Sequence, residues 1–353
     1  MTIHGRENLT ATIAVAALAL FGGLFISVDG TFDYKDALTK SIIFLETQRS
    51  GKLPPNHRPA WREDSGLQDG KLMSVRLPAT SCFSFSFIMR FVDMQVDLVG
   101  GYYDAGDNVK YGFPMSFTVT TLAWNAIFYK SELQAAGELG NAEAGIRWGT
   151  DFFLKAAAKK NKLYVQVGDP VLDHQCWVRP EIMETPRTVL MIDENTPGTE
   201  IAAETSAAMA SASMVFRATD KAYSRRLLNK AKLVSQIILP PCYSVQHLRH
   251  FFSEHLSVAS LWQLFQFAKD HKGTYDGECP FYCSFSGYND ELLWAATWLY
   301  MATKRQVYLQ YITEEAISAN VNEFSWDLKY AGAQILLSKV SQPNCSSPVN
   351  LTH

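Results

Sequence analysis

The sequence has no charge excess of either sign. Its 32 Lys and Arg stand against 35 Asp and Glu, a net charge of −3. Without a basic surplus there is no electrostatic footprint for a nucleic-acid partner. Charged residues are sparse, 19% against 47% hydrophobic, which excludes intrinsic disorder as the main state of the 353-residue chain. That length suffices for one large domain or two ordinary ones. Alternating strand patterns are nearly missing: Leu163–Val167 is the best, and it is short. Cysteine is scarce too, at six. Cys279 and Cys283 have ligand-like spacing, but no second Cys/His pair lies nearby, which argues against zinc. The pairing of any disulfides is not readable from the sequence.

What is present is helical periodicity. Tyr34–Gln48, Phe117–Leu139, Asn141–Lys159, Glu200–Ala218, Asp290–Thr303, Arg305–Ser318 and Leu328–Lys339 each carry apolar residues at helical spacing. Helices joined by long Gly/Pro/Asp-bearing loops predict an all-α architecture of stacked hairpins, with function in the loops at one end. At the N-terminus, Arg6 precedes an apolar stretch from Ala11 to Val28. A basic residue before such a run reads as a secretory signal peptide over residues 1–30, with a retained anchor as the alternative. Sequons at Asn344 and Asn350 agree with secretion. Aromatic residues reach 12%. Rings with a polar handle suit sugar-binding clefts as well as cores.

The most informative stretch runs from Val96 to Gly112 and contains Gly100-Gly101-Tyr102-Tyr103-Asp104-Ala105-Gly106-Asp107-Asn108. Two acids three residues apart, with a glycine between, can converge on one water: one takes the proton, the other orients the molecule. An inverting sugar hydrolase needs such a base, and a protonated acid roughly 6.5–9.5 Å away across the glycosidic bond. The competing reading is an acidic turn that caps the next helix or holds calcium.

This loop resembles the N-terminal catalytic loop of plant endo-1,4-β-glucanases of glycoside hydrolase family nine. Further segments are similar to that family in the family's order: Leu53–Arg62, Asp64–Gly70, Asp173-His174-Gln175-Cys176-Trp177, Pro197–Thr205 and Gly287–Trp294. The resemblance covers most of residues 32–74, 96–233 and 264–339. It implies an (α/α)6 toroid with an open cleft for a β-1,4-glucan chain. It implies Asp107 as catalytic base and Asp104 as the acid that helps hold the water. His174, Trp177 and Tyr103 match cleft residues, and Trp294 and Trp326 are expected stacking platforms, with helix core as the alternative for both tryptophans. Some family members bind calcium near the Glu200–Glu204 and Asp290 segments. No metal or cofactor is expected here, because those acids also suit helix N-termini. A monomeric, secreted cell-wall protein is implied, with β-1,4-glucan as partner and no membrane association after signal cleavage.

Three stretches depart from the family: residues 75–95, 234–263 and 340–353. All begin with Val, whose codons start GT, and both internal ones end with Gln, whose codons include CAG. The expectation is that all three are retained introns translated in frame, the third reaching a stop codon and forming a non-family tail, which leaves residues 31–339 as a partial catalytic domain. Genuine surface loops are the alternative. The family's general acid is a later Glu, and no Asp or Glu follows Asp327 here. A toroid incomplete at its C-terminal side, with little glucanase activity and low stability, is therefore expected. A non-catalytic glucan-binding relic and an unproductive gene model are the alternative readings.

Overall fold

The computed structural model describes residues 32–71, 96–232, 264–275, 277, 279, 281–315, 321 and 323–340. The leader and both inserts lie outside the described residues, as does the tail beyond Val340. Contacts divide the chain into two units, residues 1–38 and 39–353. In the first, Asp33 Oδ1 accepts the Asp36 amide at 2.9 Å, an N-cap that starts helix α1 (Tyr34–Thr47).

The second unit is mostly helical. In chain order come β1 (Lys110–Tyr111), α2 (Gly112–Phe128), α3 (Lys130–Ala136), α4 (Leu139–Ala156), β2 (Lys162–Val167), α5 (Pro170–Asp173) and β3 (Val189–Asp193). Then follow α6 (Thr199–Val215), α7 (Lys221–Ala231), α8 (Leu264–Asp270), α9 (Asn289–Thr303), α10 (Gln306–Glu315) and α11 (Tyr330–Val340). Helix α6 is the hub. It packs against α2, α7, α8 and α9, and every residue from Thr199 to Ser213 is buried. Its run of Ala and Ser lets neighbouring backbones approach, and a helix apolar all round belongs in a core. The polar residues it buries are matched. Ser116 Oγ on α2 lies 3.0 Å from Thr205 Oγ1, and Thr120 Oγ1 donates to Glu204 Oε1 at 2.9 Å.

The seven expected helices are present with shifted ends, and one is divided. The periodicity over Phe117–Leu139 resolves into α2 and α3, parted at Tyr129 (φ −121°, ψ 35°), and α3 stops at Gly137 in the left-handed region. Helix α2 also begins earlier, at Gly112. Pro114 sits in its first turn, where the missing N–H has no intrahelical partner to lose.

Strands are few, as expected, and the expected one, Leu163–Val167, lies within β2; two further short strands pair with it. β1, β2 and β3 form a three-stranded antiparallel sheet, with Lys110 opposite Val167 and Leu163 opposite Ile192. β1 is too short to show a period, and β3 (Val-Leu-Met-Ile-Asp) is an unbroken apolar run that periodicity cannot assign. This sheet positions the acidic loop: β1 follows it directly, and the β2–β3 connection faces it with α5 and Asp173. Among the described residues no helix is long and apolar enough to cross a membrane.

Candidate active site

The Gly100–Lys110 loop is built from glycines and closed by its own backbone. Gly101 has φ +75°, and a Cβ there would meet the Phe152 ring at 2.8 Å. Its carbonyl accepts from the Ser50 amide at 2.9 Å and from Trp148 Nε1 at 2.8 Å. Gly106, between the two acids, has φ +92°, which only glycine adopts without strain. The Asp104 amide donates to the Val109 carbonyl at 2.9 Å, so residues 104–109 form a closed loop.

Asp107 is 8% exposed. Its Oδ1 accepts the Val109 amide at 2.9 Å, and its Oδ2 lies 2.9 Å from His174 Nε2. Burial raises its carboxyl above the ordinary aspartate range. The His174 and Val109 bonds oppose that shift, and the nearby charges of Asp104 and Asp173 add to it. A carboxylate raised this way and held by two donors is a stronger proton acceptor than a free surface aspartate. Neither acid caps a helix.

His174, at the C-terminal end of α5, carries the site outward. Its ring stacks on Trp177 at 5.0 Å with 17° between planes, and Trp177 is 64% exposed. The edge of Phe281 meets the other side of His174 at 4.8 Å. Asp173 is buried behind, accepting the Asn108 amide at 2.9 Å and Thr185 Oγ1 at 3.1 Å. Asp107, Asp173 and His174 offer atoms within 4.8 Å of one another. All four carboxylate oxygens of that trio accept hydrogen bonds, which ties it into one hydrogen-bonded cluster.

Asp104 is half-buried and accepts a hydrogen bond from the Tyr282 hydroxyl. The Tyr282 ring packs on Tyr111 at 4.8 Å and edge-on to Trp326 at 5.1 Å. Trp326 is half-buried, braced also by Phe113 at 5.6 Å. A cavity of about 140 Å³ opens beside Asp104, lined by Phe44, Gln48, Tyr111 and Met115 among others. Asp107 is not in its wall; its Oδ2 is turned to His174, and the charge of Asp104 is close enough to act on it.

Asp104, Asp107, His174, Trp177 and Trp326 thus surround one locality. One expected substrate contact does not. Trp294 has no exposed surface: its ring lies against Trp124, Trp298 and Phe324 at 5.5–5.6 Å, and its Nε1 donates to Glu204 Oε1 at 3.3 Å. It is core, because it sits on the inner face of α9. Tyr103 is 4% exposed and donates to Ser65 Oγ at 3.1 Å, which props the loop, and it also lines the cavity beside Asp104. The Cys279–Cys283 spacing is a disulfide that closes a short loop, and that loop carries Phe281 and Tyr282 to the site. Sequence reasoning missed both aromatics; their place between two cysteines was the available signal. It also missed Arg187, whose guanidinium grips Asp69 and the Asn108 carbonyl, and for which no local signal exists.

Known proteins match the chain over most of its length. The chain is 59% identical over 338 residues to Endoglucanase 16 of Arabidopsis thaliana, covering 95% of this chain and 59% of that protein. It is 58% identical to Endoglucanase 8 of Oryza sativa subsp. japonica, covering 94% of this chain and 56% of that one. The chain therefore spans less than two thirds of these relatives' lengths. Among solved structures, the endoglucanase of the termite Nasutitermes takasagoensis superposes with a TM-score of 0.68 at 36% identity, over 88% of this chain and 62% of that one. The cellulase Cel9M of C. cellulolyticum gives 0.69 at 27% identity, with the same coverage. The all-α expectation of an (α/α)6 barrel fold holds for the described helices. The Glycosyl hydrolase family 9 model matches residues 34–351, and the chain belongs to that family.

Proposed function

We propose that the site around Asp104 and Asp107 serves endo-hydrolysis of β-1,4-glucosidic bonds in cellulose-like glucans, with inversion at the anomeric carbon. Asp107 deprotonates the attacking water and Asp104 orients it. His174 holds Asp107 Oδ2 and presents Trp177, whose exposed indole face suits the apolar face of a glucose ring. Trp326 is the second platform. The observation that carries this reading is the Asp107 carboxylate, buried, raised in basicity and anchored through both oxygens beside an exposed stacked aromatic pair. The relatives bearing the name endoglucanase support the substrate class. The apolar run after Arg6 supports secretion to the cell wall, with the protein acting as a monomer.

The test is reducing-end release from carboxymethylcellulose, with the anomer formed from a cello-oligosaccharide followed by proton NMR. Hydrolysis with α-anomer product, falling by about 10²–10⁴-fold in Asp107→Asn, is the expected result. Retention of configuration, or activity untouched by Asp107→Asn, overturns the reading.

A further inference from the structure

We propose that Arg187 is a positioning residue for Asp107, acting through the peptide group that joins Asn108 to Val109. The inference rests on the reading of Asp107 as the working carboxylate. The two ends of that peptide group are engaged in opposite senses. Its carbonyl, on Asn108, accepts from Arg187 Nη1 at 2.5 Å. Its N–H, on Val109, donates to Asp107 Oδ1 at 2.9 Å. A cation bonded to an amide carbonyl draws electron density toward the oxygen and leaves the N–H a better donor. Chained hydrogen bonds strengthen one another in this way, by about 10–30% per bond. The positive charge of Arg187 therefore reaches Asp107 as a stronger and better-aimed N–H.

The guanidinium is locked for this task. Its Nε and Nη2 bind the two oxygens of Asp69 at 2.8 and 3.1 Å, a bidentate grip that leaves Nη1 one direction. Asp69 is fully buried and is itself bound by Lys110 Nζ at 2.6 Å. Burial works to raise the Asp69 carboxyl, yet Lys110 and Arg187 hold it below the ordinary range, so the anchor is charged. Gly168 leaves the room: with φ +112°, a Cβ there would stand 3.1 Å from Arg187 Nη1 and 3.2 Å from Val109 Cα. The preceding peptide is held as well, because the Asn108 amide donates to Asp173 Oδ2 at 2.9 Å. Asp107 is thus faced by His174, Asp104 and Asp173, and the Arg187–Asp69–Lys110 group reaches it through its backbone. Oδ1 is committed to the relay, which leaves Oδ2 for His174 and incoming water.

The experiment follows two NMR signals in the full chain: the Asp107 side-chain carboxyl carbon against pH, and the Val109 amide proton. In Arg187→Met the Asp107 midpoint rises by about 0.5–1 unit and the Val109 proton moves upfield. In Arg187→Lys, which keeps the charge and loses the fork, the midpoint rises less while the Val109 proton still moves. Native dispersion of the remaining amides shows that each variant is folded. If Arg187→Met does not fold, the Val109 signal of Arg187→Lys decides. A midpoint that rises with no change at Val109 overturns the proposal in favour of a bare field effect, as does a midpoint that stays put. Absence of glucan hydrolysis by the unmodified chain would sink the functional reading yet leave both signals measurable, so the two failures are distinct.

Discussion

Asp107 is under opposed influences that set its use. Burial raises its carboxyl, and the His174 and Val109 bonds bring it down part of the way. A base must be ionised, so the rate should climb as pH rises through a midpoint above the ordinary aspartate value of about 3.9. A pH profile of kcat/KM on a cello-oligosaccharide, with its acid limb displaced upward from that value, is the expected measurement. Asp104 depends on one hydroxyl. Tyr282→Phe removes a donor to a carboxylate, an interaction worth about 1.5–3 kcal/mol, and should cut reducing-end release by roughly ten- to a hundredfold while glucan binding persists. The two acids were legible because a glycine-bearing loop with that spacing sits in one short stretch of sequence. Tyr282 was not: it lies 178 residues from Asp104 along the chain, and no local pattern encodes such a meeting. Trp294 was misplaced for a related reason, since an indole in an apolar helical run is compatible with either a cleft or a core until the facing helices are known.

At the level of elements, the contact between α2 and α4 is the tightest test of packing. A Cβ at Gly149 would come 2.4 Å from Val119 Cγ2, and Val119 is fully buried and cannot turn aside. Gly149→Ala should therefore destabilise by about 1–3 kcal/mol, read as a lower melting temperature, although alanine is the better helix former. The Cys279–Cys283 bridge acts locally instead. Its loop is very short, so cross-linking removes only about 2 kcal/mol of unfolded-chain entropy, at the low end for disulfides. Cys279→Ser should change the melting temperature modestly but loosen Phe281 from His174, which protease sensitivity of the 277–288 loop and weaker glucan binding would report. Long periodic helices were readable in outline, whereas strands of two and five residues were not. Their pairing with β2 is a tertiary choice, and a short apolar run carries no period.

Across the whole molecule the charge pattern sets the response to acid. Burial works to raise the Asp69, Glu138 and Glu181 carboxyls. Lys110 and Arg187, Asn141 and Arg58, and Arg62 respectively overcome it, and all three lie below their ordinary range. The unfolded chain then binds more protons than the folded one at low pH. Their stabilisation is complete above the unfolded values and is lost as pH falls through the folded ones. A denaturant midpoint that declines below about pH 4 is expected. A second ionic centre lies in the helical core, where Lys329 Nζ stands 3.1 Å from Glu291 and 3.5 Å from Glu204, all three fully buried. Burial drives Glu291 well above the ordinary range, and Lys329 partly offsets that. Lys329→Met should cost about 3–5 kcal/mol by stranding two buried carboxyls, measured by chemical denaturation.

That lysine also imposes an order on biosynthesis. Glu204 and Glu291 emerge from the ribosome before Lys329 does, each on a helix that must enter the interior. Until the later segment arrives, the two carboxyls enter the interior most readily uncharged, the form that burial favours for both, so the ionic centre between α6 and α9 is completed last.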